Sequence, residues 1–288
     1  MSATGRRKIT LCADDYGISP GVNRGIRELI ARKRLNATSV MVVGSAITRE
    51  DVSALQGAVA INGDCAIGLH VTLTAPFHPL TMHYRPLLDG LFLPLGKMLR
   101  AGALRRLDAE MIEGEVSAQI AKFTALFGQA PAYVDGHQHV QTFPQVRDPF
   151  LRAVKRGAPE AWVRQSGRVH PLSKRLDAPK ALLLDTLSAT FRKRAAKAGI
   201  AFNPGFAGAY DFTKAPDFGA LMSRFLDGLP DGGLVMCHPG YVDDVLVDLD
   251  PFTDQREREY AYLASDEFVR LLDETNVTLG RRADEAKP

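Results

Sequence analysis

Two adjacent carboxylates, Asp14 and Asp15, stand at the end of the apolar run "ITLCA" and shortly before Gly17 and Pro20. Like charges at close range repel each other and raise each other's pKa, so this placement needs an explanation. The side chains could cap the helix that follows, because carboxylates bind the free amides of a helix N-terminus. A bound cation would also explain the pair. The acids therefore indicate either a helix cap or a metal site.

Other residues that could bind a metal also follow apolar runs. His70 stands near the end of "AIGLHVTL", "VDGHQHV" carries Asp135, His137 and His139, and His238 follows "LVMC". In an extended strand, His137 and His139 point the same way, and Asp135 joins them if the strand continues. A single histidine is more typical of a structural role, but the whole set is harder to explain by packing. One carboxylate with two imidazoles suits a divalent metal and leaves positions open for water and substrate.

The elements that must position these residues alternate along the chain. "KITLCADD" predicts a strand, and "SPGVNRGIRELIARKRL" predicts a helix with Ser19 as N-cap and Pro20 at its first position. About seven or eight such units, without a flexible linker, predict an α/β fold: one parallel (β/α) barrel, distorted, over residues 1–288. The carboxyl ends of barrel strands converge on one face, so the candidate residues should meet there.

One segment interrupts this alternation. Residues 75–107 contain "APFHPLTMHYRPLLDGLFLPLG", which is rich in proline and glycine and too long for a simple connection. We expect a lid or substrate loop here. Four aromatic residues could stack on a sugar, although isolated aromatics are more often part of a core: Tyr84, Phe92, Trp162 and Tyr210.

Composition excludes several other classes of protein. The 288 residues are 45% hydrophobic and carry a formal net charge of +3, so no general charge bias favours nucleic acid. Cys12, Cys65 and Cys237 lie in apolar runs without metal or redox spacing, which predicts buried thiols in a reducing compartment. We expect a cytoplasmic protein without stable membrane insertion, because the sequence contains no secretory apolar segment and no run of about 18 apolar residues. A homodimer is compatible with these numbers.

Four stretches, in order and spread over nearly the whole chain, carry a family resemblance. They are "ADDYGISPGVNRGI", "IGLHVTLT", "VDGHQHVQTFPQV" and "VMCHPGY". With them the chain resembles the YdjC-like carbohydrate deacetylases, which include chitooligosaccharide deacetylases and a hopanoid-pathway deacetylase. One departure is Gln141, where the family more usually has histidine. That position is not an expected metal ligand, so the departure bears on substrate contacts.

The resemblance implies a distorted barrel with one divalent cation, described in the family as magnesium or zinc. The expected ligands fall on Asp15, His70 and His137. Two imidazoles favour a transition metal, whereas magnesium prefers oxygen ligands, so the metal is left unassigned. On this reading the cation explains why two acids stand side by side at the end of the first strand.

The implied reaction is hydrolysis of an acetamide on an N-acetylated sugar that is free, oligomeric or lipid-linked. Asp14 is the expected general base toward water, and His238 is the expected general acid toward the departing amine. His139 is expected to orient Asp14 or the water, and Asp135 to support the site or contact substrate.

Two alternatives belong to other classes. A glycosidase could use strand-end carboxylates, but adjacent acids cannot readily flank a glycosidic bond, so Asp135 would have to supply the second group. A non-catalytic sugar-binding protein on the same barrel would not need the base and the acid. The three classes differ in what they release. A deacetylase releases an amine from an N-acetylated sugar, a glycosidase releases reducing ends, and a binding protein releases neither.

Overall fold

The computed structural model describes residues 5–168, 179–212 and 217–280, in which strands alternate with helices. The strands are β1 (Arg7–Tyr16), β2 (Ala37–Val40), β3 (Ala66–Val71), β4 (Tyr133–Gly136), β5 (Trp162–Val163), β6 (Phe206–Ala207), β7 (Leu234–Cys237) and β8 (Val277–Leu279). The helices are α1 (Pro20–Ala31), α2 (Arg49–Asn62), α3 (Leu95–Ala103), α4 (Ala109–Phe127), α5 (Arg147–Gly157), α6 (Pro179–Ala198), α7 (Phe218–Leu226), α8 (Asp244–Leu249), α9 (Asp254–Ala264) and α10 (Asp266–Glu274). A short 3-10 segment, His137–Thr142, follows β4 directly.

The strands form one parallel sheet in the order β5-β4-β3-β2-β1-β7-β6, and β8 pairs with the first residues of β1. Parallel bridges also join Val163 to Phe202 and Arg168 to Phe206, so the two ends of the sheet approach each other. The sheet therefore curls into a barrel. Its two ends, at β5 and β6, are joined only by isolated bridges among the described residues. This confirms the predicted distorted (β/α) barrel.

Helix ends follow the local signals in the sequence. Ser19 caps α1 by accepting a hydrogen bond from the amide of Val22, and Pro20 is the first helical residue, as predicted. Because Ser19 caps this helix, the two aspartates do not serve as its N-cap. Gly128 ends α4 with a left-handed φ of 72°, a conformation that glycine adopts at little cost.

The apolar core has two parts, one outside and one inside the curled sheet. The larger part joins helix residues to one face of the strands, and the smaller part consists only of strand residues. In the smaller part the rings of Tyr133 and Trp162 stack with centroids 4.6 Å apart. A Cβ at Gly68 would lie 2.4 Å from the Tyr133 ring. Any larger residue at position 68 would therefore clash with this aromatic pair. The three cysteines are buried and form no disulfide, in agreement with the predicted buried thiols.

The segment 75–107 is packed rather than extended. It contains α3, a helix that the sequence did not predict, and it buries Phe77, Tyr84 and Phe92. The buried carboxylate of Glu115 on α4 accepts hydrogen bonds from the amides of residues 80 and 81, which attaches the segment to the barrel. Its role as a lid or substrate loop stays a prediction. None of the helices in the described ranges is long and apolar enough to cross a membrane.

Candidate active site

The end of β1 presents both aspartates to the same cluster. Side chains alternate between the two faces of a regular strand, so adjacent acids would normally point apart. The register of β1 with β2 shifts between Ala13 and Tyr16, and Asp15 has a left-handed φ of 68°. This bulge redirects the chain, a known use of β-bulges at active sites. As a result, His70 Nε2 lies 3.4 Å from Asp15 Oδ1 and 4.0 Å from Asp14 Oδ2.

Three predicted ligands converge beside this bulge. His137 Nδ1 lies 3.0 Å from Asp15 Oδ1, and donor atoms of Asp15, His70 and His137 all lie within 4.8 Å of one another. His70 Nδ1 donates to Asp135 Oδ1 at 2.6 Å, which leaves Nε2 for the cluster. A carboxylate that fixes the outer nitrogen of a histidine is the usual support for a metal ligand. The donor set therefore fits a divalent transition metal.

The same cluster attracts positive charge strongly. Burial by itself would lower the pKa of His70, but the carboxylates of Asp135 and Asp14 outweigh it and raise the pKa to about 10. Burial would raise the pKa of Asp15, but His137 and Arg256 hold it well below its usual range. A cation among these donors would compete with the proton on His70, so metal binding should release protons.

Asp14 has a different partner from Asp15. Arg164, which follows β5, donates two hydrogen bonds to its carboxylate at 2.7 and 2.8 Å. Burial would raise the pKa of Asp14, but this guanidinium outweighs burial and holds the pKa well below its usual range. Asp14 is therefore ionised at neutral pH. Arg164 was not predicted as a site residue, although a charged residue directly after the apolar run "AWV" was a usable signal.

Asp135 lies behind the cluster rather than inside it. Its Oδ1 accepts from His70, and its Oδ2 accepts from Ser39 Oγ at 2.5 Å and lies 3.2 Å from an Arg164 nitrogen. The side chain is completely buried. Asp135 thus contacts one metal-ligand candidate, His70, and also Arg164, the partner of Asp14.

The expectation that His137 and His139 share one strand face is wrong. β4 ends at Gly136, and Gln138 and His139 both have left-handed φ angles, so the chain turns before the second histidine. His139 Nδ1 pairs with Ser166 Oγ at 3.1 Å, and burial first, then Arg164, lowers its pKa to about 3. His139 is therefore neutral and bonded to a serine through Nδ1, and Arg164 is the residue that bonds directly to Asp14. That His139 orients Asp14 or the water stays a prediction.

The same turn gives Gln141 a role that the sequence did not suggest. Its side chain is buried and donates from Nε2 to the backbone carbonyl of Arg164 at 3.1 Å. A Cβ at position 136 would lie 2.6 Å from Gln141 Oε1, so glycine there permits this close return of the chain. Gln141 thus helps to hold the strand end that carries Arg164.

His238 follows β7 and approaches the cluster from the other side of β1. Its Nε2 lies 3.9 Å from Asp14 Oδ2, and its ring packs edge-on against Phe212 with centroids 5.4 Å apart. Burial lowers the pKa of His238. The structure therefore places the predicted base and the predicted acid next to each other.

Helix α9 contributes two buried charged residues that were not predicted from the sequence. Arg256 donates to Asp15 Oδ2 at 2.7 Å and to Asp250 at 2.6 Å, which leaves Asp15 Oδ1 toward the histidines. Glu259 accepts a hydrogen bond from the backbone amide of His238 at 2.5 Å. Their spacing of three in the sequence, which places both on one face of a helix, was a weak signal.

The aromatic candidates for sugar stacking are mostly core residues. Tyr84, Phe92 and Trp162 are buried, and Tyr210 is half-buried and hydrogen-bonded to Glu259. Three of the four therefore cannot offer an open face to a sugar in this structure.

Comparisons with known proteins agree with this architecture. The fold is similar to that of a protein assigned to cellobiose-phosphate cleavage from Enterococcus faecalis, with a TM-score of 0.71 and 20% identity over 96% of this chain and 98% of that one. It is also similar to a lactam utilization protein from Thermus thermophilus, with a TM-score of 0.53 and 15% identity over 96% and 100% of the two chains. At these identities the two structures support the fold alone. The family described as YdjC-like protein matches residues 8–274, which is most of the chain. The protein therefore belongs to the YdjC-like family.

Proposed function

We propose that this protein is a metal-dependent hydrolase that removes the acetyl group from an N-acetylated sugar. The observation that carries the proposal is the meeting of Asp15, His70 and His137 beside an ionised Asp14 and beside His238. Metal-ligand candidates, a base and an acid are the groups that amide hydrolysis requires. Membership of the YdjC-like family and the four motifs shared with carbohydrate deacetylases give further support.

Asp15, His70 and His137 would hold the cation. Bound there, a divalent metal would polarise the amide carbonyl and make water more acidic. The chain itself prepares the ligands: Asp135 fixes the ring of His70, and Arg256 holds the second oxygen of Asp15.

Asp14 would accept the proton from the attacking water. Its pairing with Arg164 keeps the carboxylate ionised and fixes its two oxygens, so Asp14 meets the water in the form that can accept a proton. Attack by the water oxygen on the acetamide carbon forms a new C–O bond, and the proton goes to Asp14. Asparagine in this position could not take that proton.

His238 would protonate the amine nitrogen as the C–N bond breaks. Because burial lowers the pKa of His238, its ring is mostly neutral in the resting protein, and Asp14, 3.9 Å away, can pass on the proton taken from water. The products are acetate and the free amine, and both side chains return to their starting protonation states.

Among the described residues of the site, Asp14 and Asp135 are unsuited to act as a glycosidase pair. Asp14 is paired with Arg164, and Asp135 is buried and bonded to Ser39 and His70. Neither could flank a glycosidic bond opposite the other.

The test is a screen of N-acetylated sugars with purified protein, first stripped of metal and then supplied with Zn²⁺ or Mg²⁺. We expect equal amounts of acetate and free amine, formed only after metal is restored. Release of reducing ends would favour a glycosidase. Absence of any product from monosaccharides, oligosaccharides and glycolipids alike would contradict the proposal.

A further inference from the structure

Helix α9 has a charged inner face. Its buried residues are Arg256, Glu259 and Leu263, and the spacing of three and four places them on one stripe of the helix. Burying a charge is costly unless a partner compensates for it. Arg256 has its partners in Asp15 and Asp250, which lie in or beside the metal-ligand cluster. The proposed reaction assigns no role to Glu259.

Each oxygen of Glu259 accepts one hydrogen bond. Oε1 accepts from the hydroxyl of Tyr210 at 2.6 Å, and Oε2 accepts from the backbone amide of His238 at 2.5 Å. The side chain is completely buried, and burial raises its pKa to about 7. Glu259 is thus a buried acid directly behind His238, and its burial costs free energy.

The imidazole ring of His238 needs such support because it has few hydrogen bonds of its own. Asp135 and Ser166 fix the Nδ1 atoms of His70 and His139, respectively. In the described part of the chain, His238 Nδ1 is buried without a hydrogen-bond partner. The position of the ring therefore depends on its backbone and on the apolar contacts around it.

Glu259 acts on both of these supports. One oxygen holds the backbone amide of His238 directly. The other holds Tyr210, whose ring packs against Phe212 with centroids 4.3 Å apart, and Phe212 in turn packs against the His238 ring. A single carboxylate therefore connects α9 to the strand end and to the aromatic ring that borders the imidazole.

We propose that Glu259 is a positioning residue for His238, holding its backbone amide and, through Tyr210, its aromatic neighbour so that Nε2 stays beside Asp14. The inference rests on the proposed function, since it assumes that His238 protonates the departing amine.

The experiment compares Glu259→Gln with Glu257→Gln, which makes the same change on the exposed side of α9. Both variants are loaded with Zn²⁺ and assayed on di-N-acetylchitobiose, an amide, and on 4-nitrophenyl acetate, an ester whose leaving group is a much weaker base. We expect Glu259→Gln to lose about 10- to 100-fold in kcat/KM on the amide, as for a displaced catalytic group. The loss on the ester should be smaller, with metal content unchanged, and Glu257→Gln should match the wild type on both substrates.

A double-mutant cycle separates positioning from a merely structural role. In a His238→Ala background, Glu259→Gln should cause no further loss on the amide, because the group that it positions is gone. An equal additional loss in that background, equal losses on both substrates, or wild-type activity of Glu259→Gln would each overturn the proposal.

If Glu259→Gln does not fold, Tyr210→Phe decides, because it removes one donor and leaves the carboxylate in place. A smaller loss that is confined to the amide and absent in the His238→Ala background supports the proposal, and a loss common to both substrates overturns it. Failure of the proposed function looks different. Wild-type protein would then release no amine from any N-acetylated sugar, which overturns both proposals, whereas an active wild type with an unaffected Glu259→Gln overturns only this one.

Discussion

The two sides of the site are held in different ways. On one side, Asp15 and His70 lie at the carboxyl ends of β1 and β3, and His137 directly follows β4. Carboxylates or imidazoles bond directly to their side chains. On the other side, His238 has no partner at Nδ1 and relies on its backbone, on Phe212 and on Glu259 of α9. The metal-ligand side is thus built into the sheet, and the acid side depends on a helix that packs against it.

This difference suggests separate sensitivities to substitution. Changes on the metal-ligand side should remove the cation and with it all activity. Changes on the acid side should leave the cation in place and alter only the proton-transfer step. Asp14 lies between the two sides, 4.0 Å from His70 and 3.9 Å from His238. Because Asp14 is not a proposed ligand, its substitution should leave the cation in place.

The largest effect is expected from the two histidines proposed as metal ligands. His70→Ala and His137→Ala should each lose the divalent cation, about one per chain in the wild type, and with it all measurable amine release, because two donors rarely hold such an ion. Metal content after desalting, measured by atomic emission, checks this. His139→Ala is the matched control in the same turn, and it should keep its metal because His139 bonds to Ser166. Full metal retention by both ligand variants would contradict the assignment.

A large loss without metal loss is expected at Asp14. Asp14→Asn keeps the shape of the side chain but cannot accept a proton, so kcat/KM should fall on the order of 10²-fold or more. Metal content and the rate on an N-acetylated sugar are measured on the same preparation. A rate close to that of the wild type would show that another group is the base.

A selective loss is expected at His238. His238→Ala should bind metal normally and lose about 10²-fold on an acetamide, since an amine leaves poorly without protonation. On an activated aryl ester the loss should be much smaller, because phenolate needs less help. Equal losses on the two substrates, with metal content unchanged, would remove His238 as the acid.

The smallest effect concerns stability and pH on the acid side. The folded pKa of Glu259 is about 7 and its ordinary value is 4.5, so between these values the native state binds more protons than the unfolded state. Native stability therefore falls as pH rises through this window, by at most about 3 kcal/mol, and Glu259→Gln lacks that dependence.

Urea unfolding of metal-free wild type and Glu259→Gln, at about pH 4.5 and about pH 8, measures the difference. We expect the variant to gain stability relative to the wild type at the higher pH. A difference that does not change with pH would show that burial of this carboxylate carries no such cost.

Local chemistry in the sequence predicted much of the frame. The cap at Ser19, the glycine end of α4 and the alternation of strands with helices depend on residues close together in the chain. Strand direction in a barrel then places Asp14, Asp15, His70 and His238 at one end of the sheet. The general location of the site and its donor types could therefore be predicted from the amino-acid sequence alone.

The connections between these residues were decided only by the tertiary structure. Arg164 and Arg256 bond to Asp14 and Asp15 across 150 and 241 residues of sequence, respectively, and nothing local marks those pairs. The turn after β4 separates His137 from His139 because two residues other than glycine adopt left-handed angles, which no spacing rule predicts. Periodicity reports the regular path of the backbone, so it cannot report where the chain leaves that path or which distant charge neutralises a buried acid. Those are settled when the sheet curls and when Arg256 and Glu259 of α9 reach Asp15 and His238.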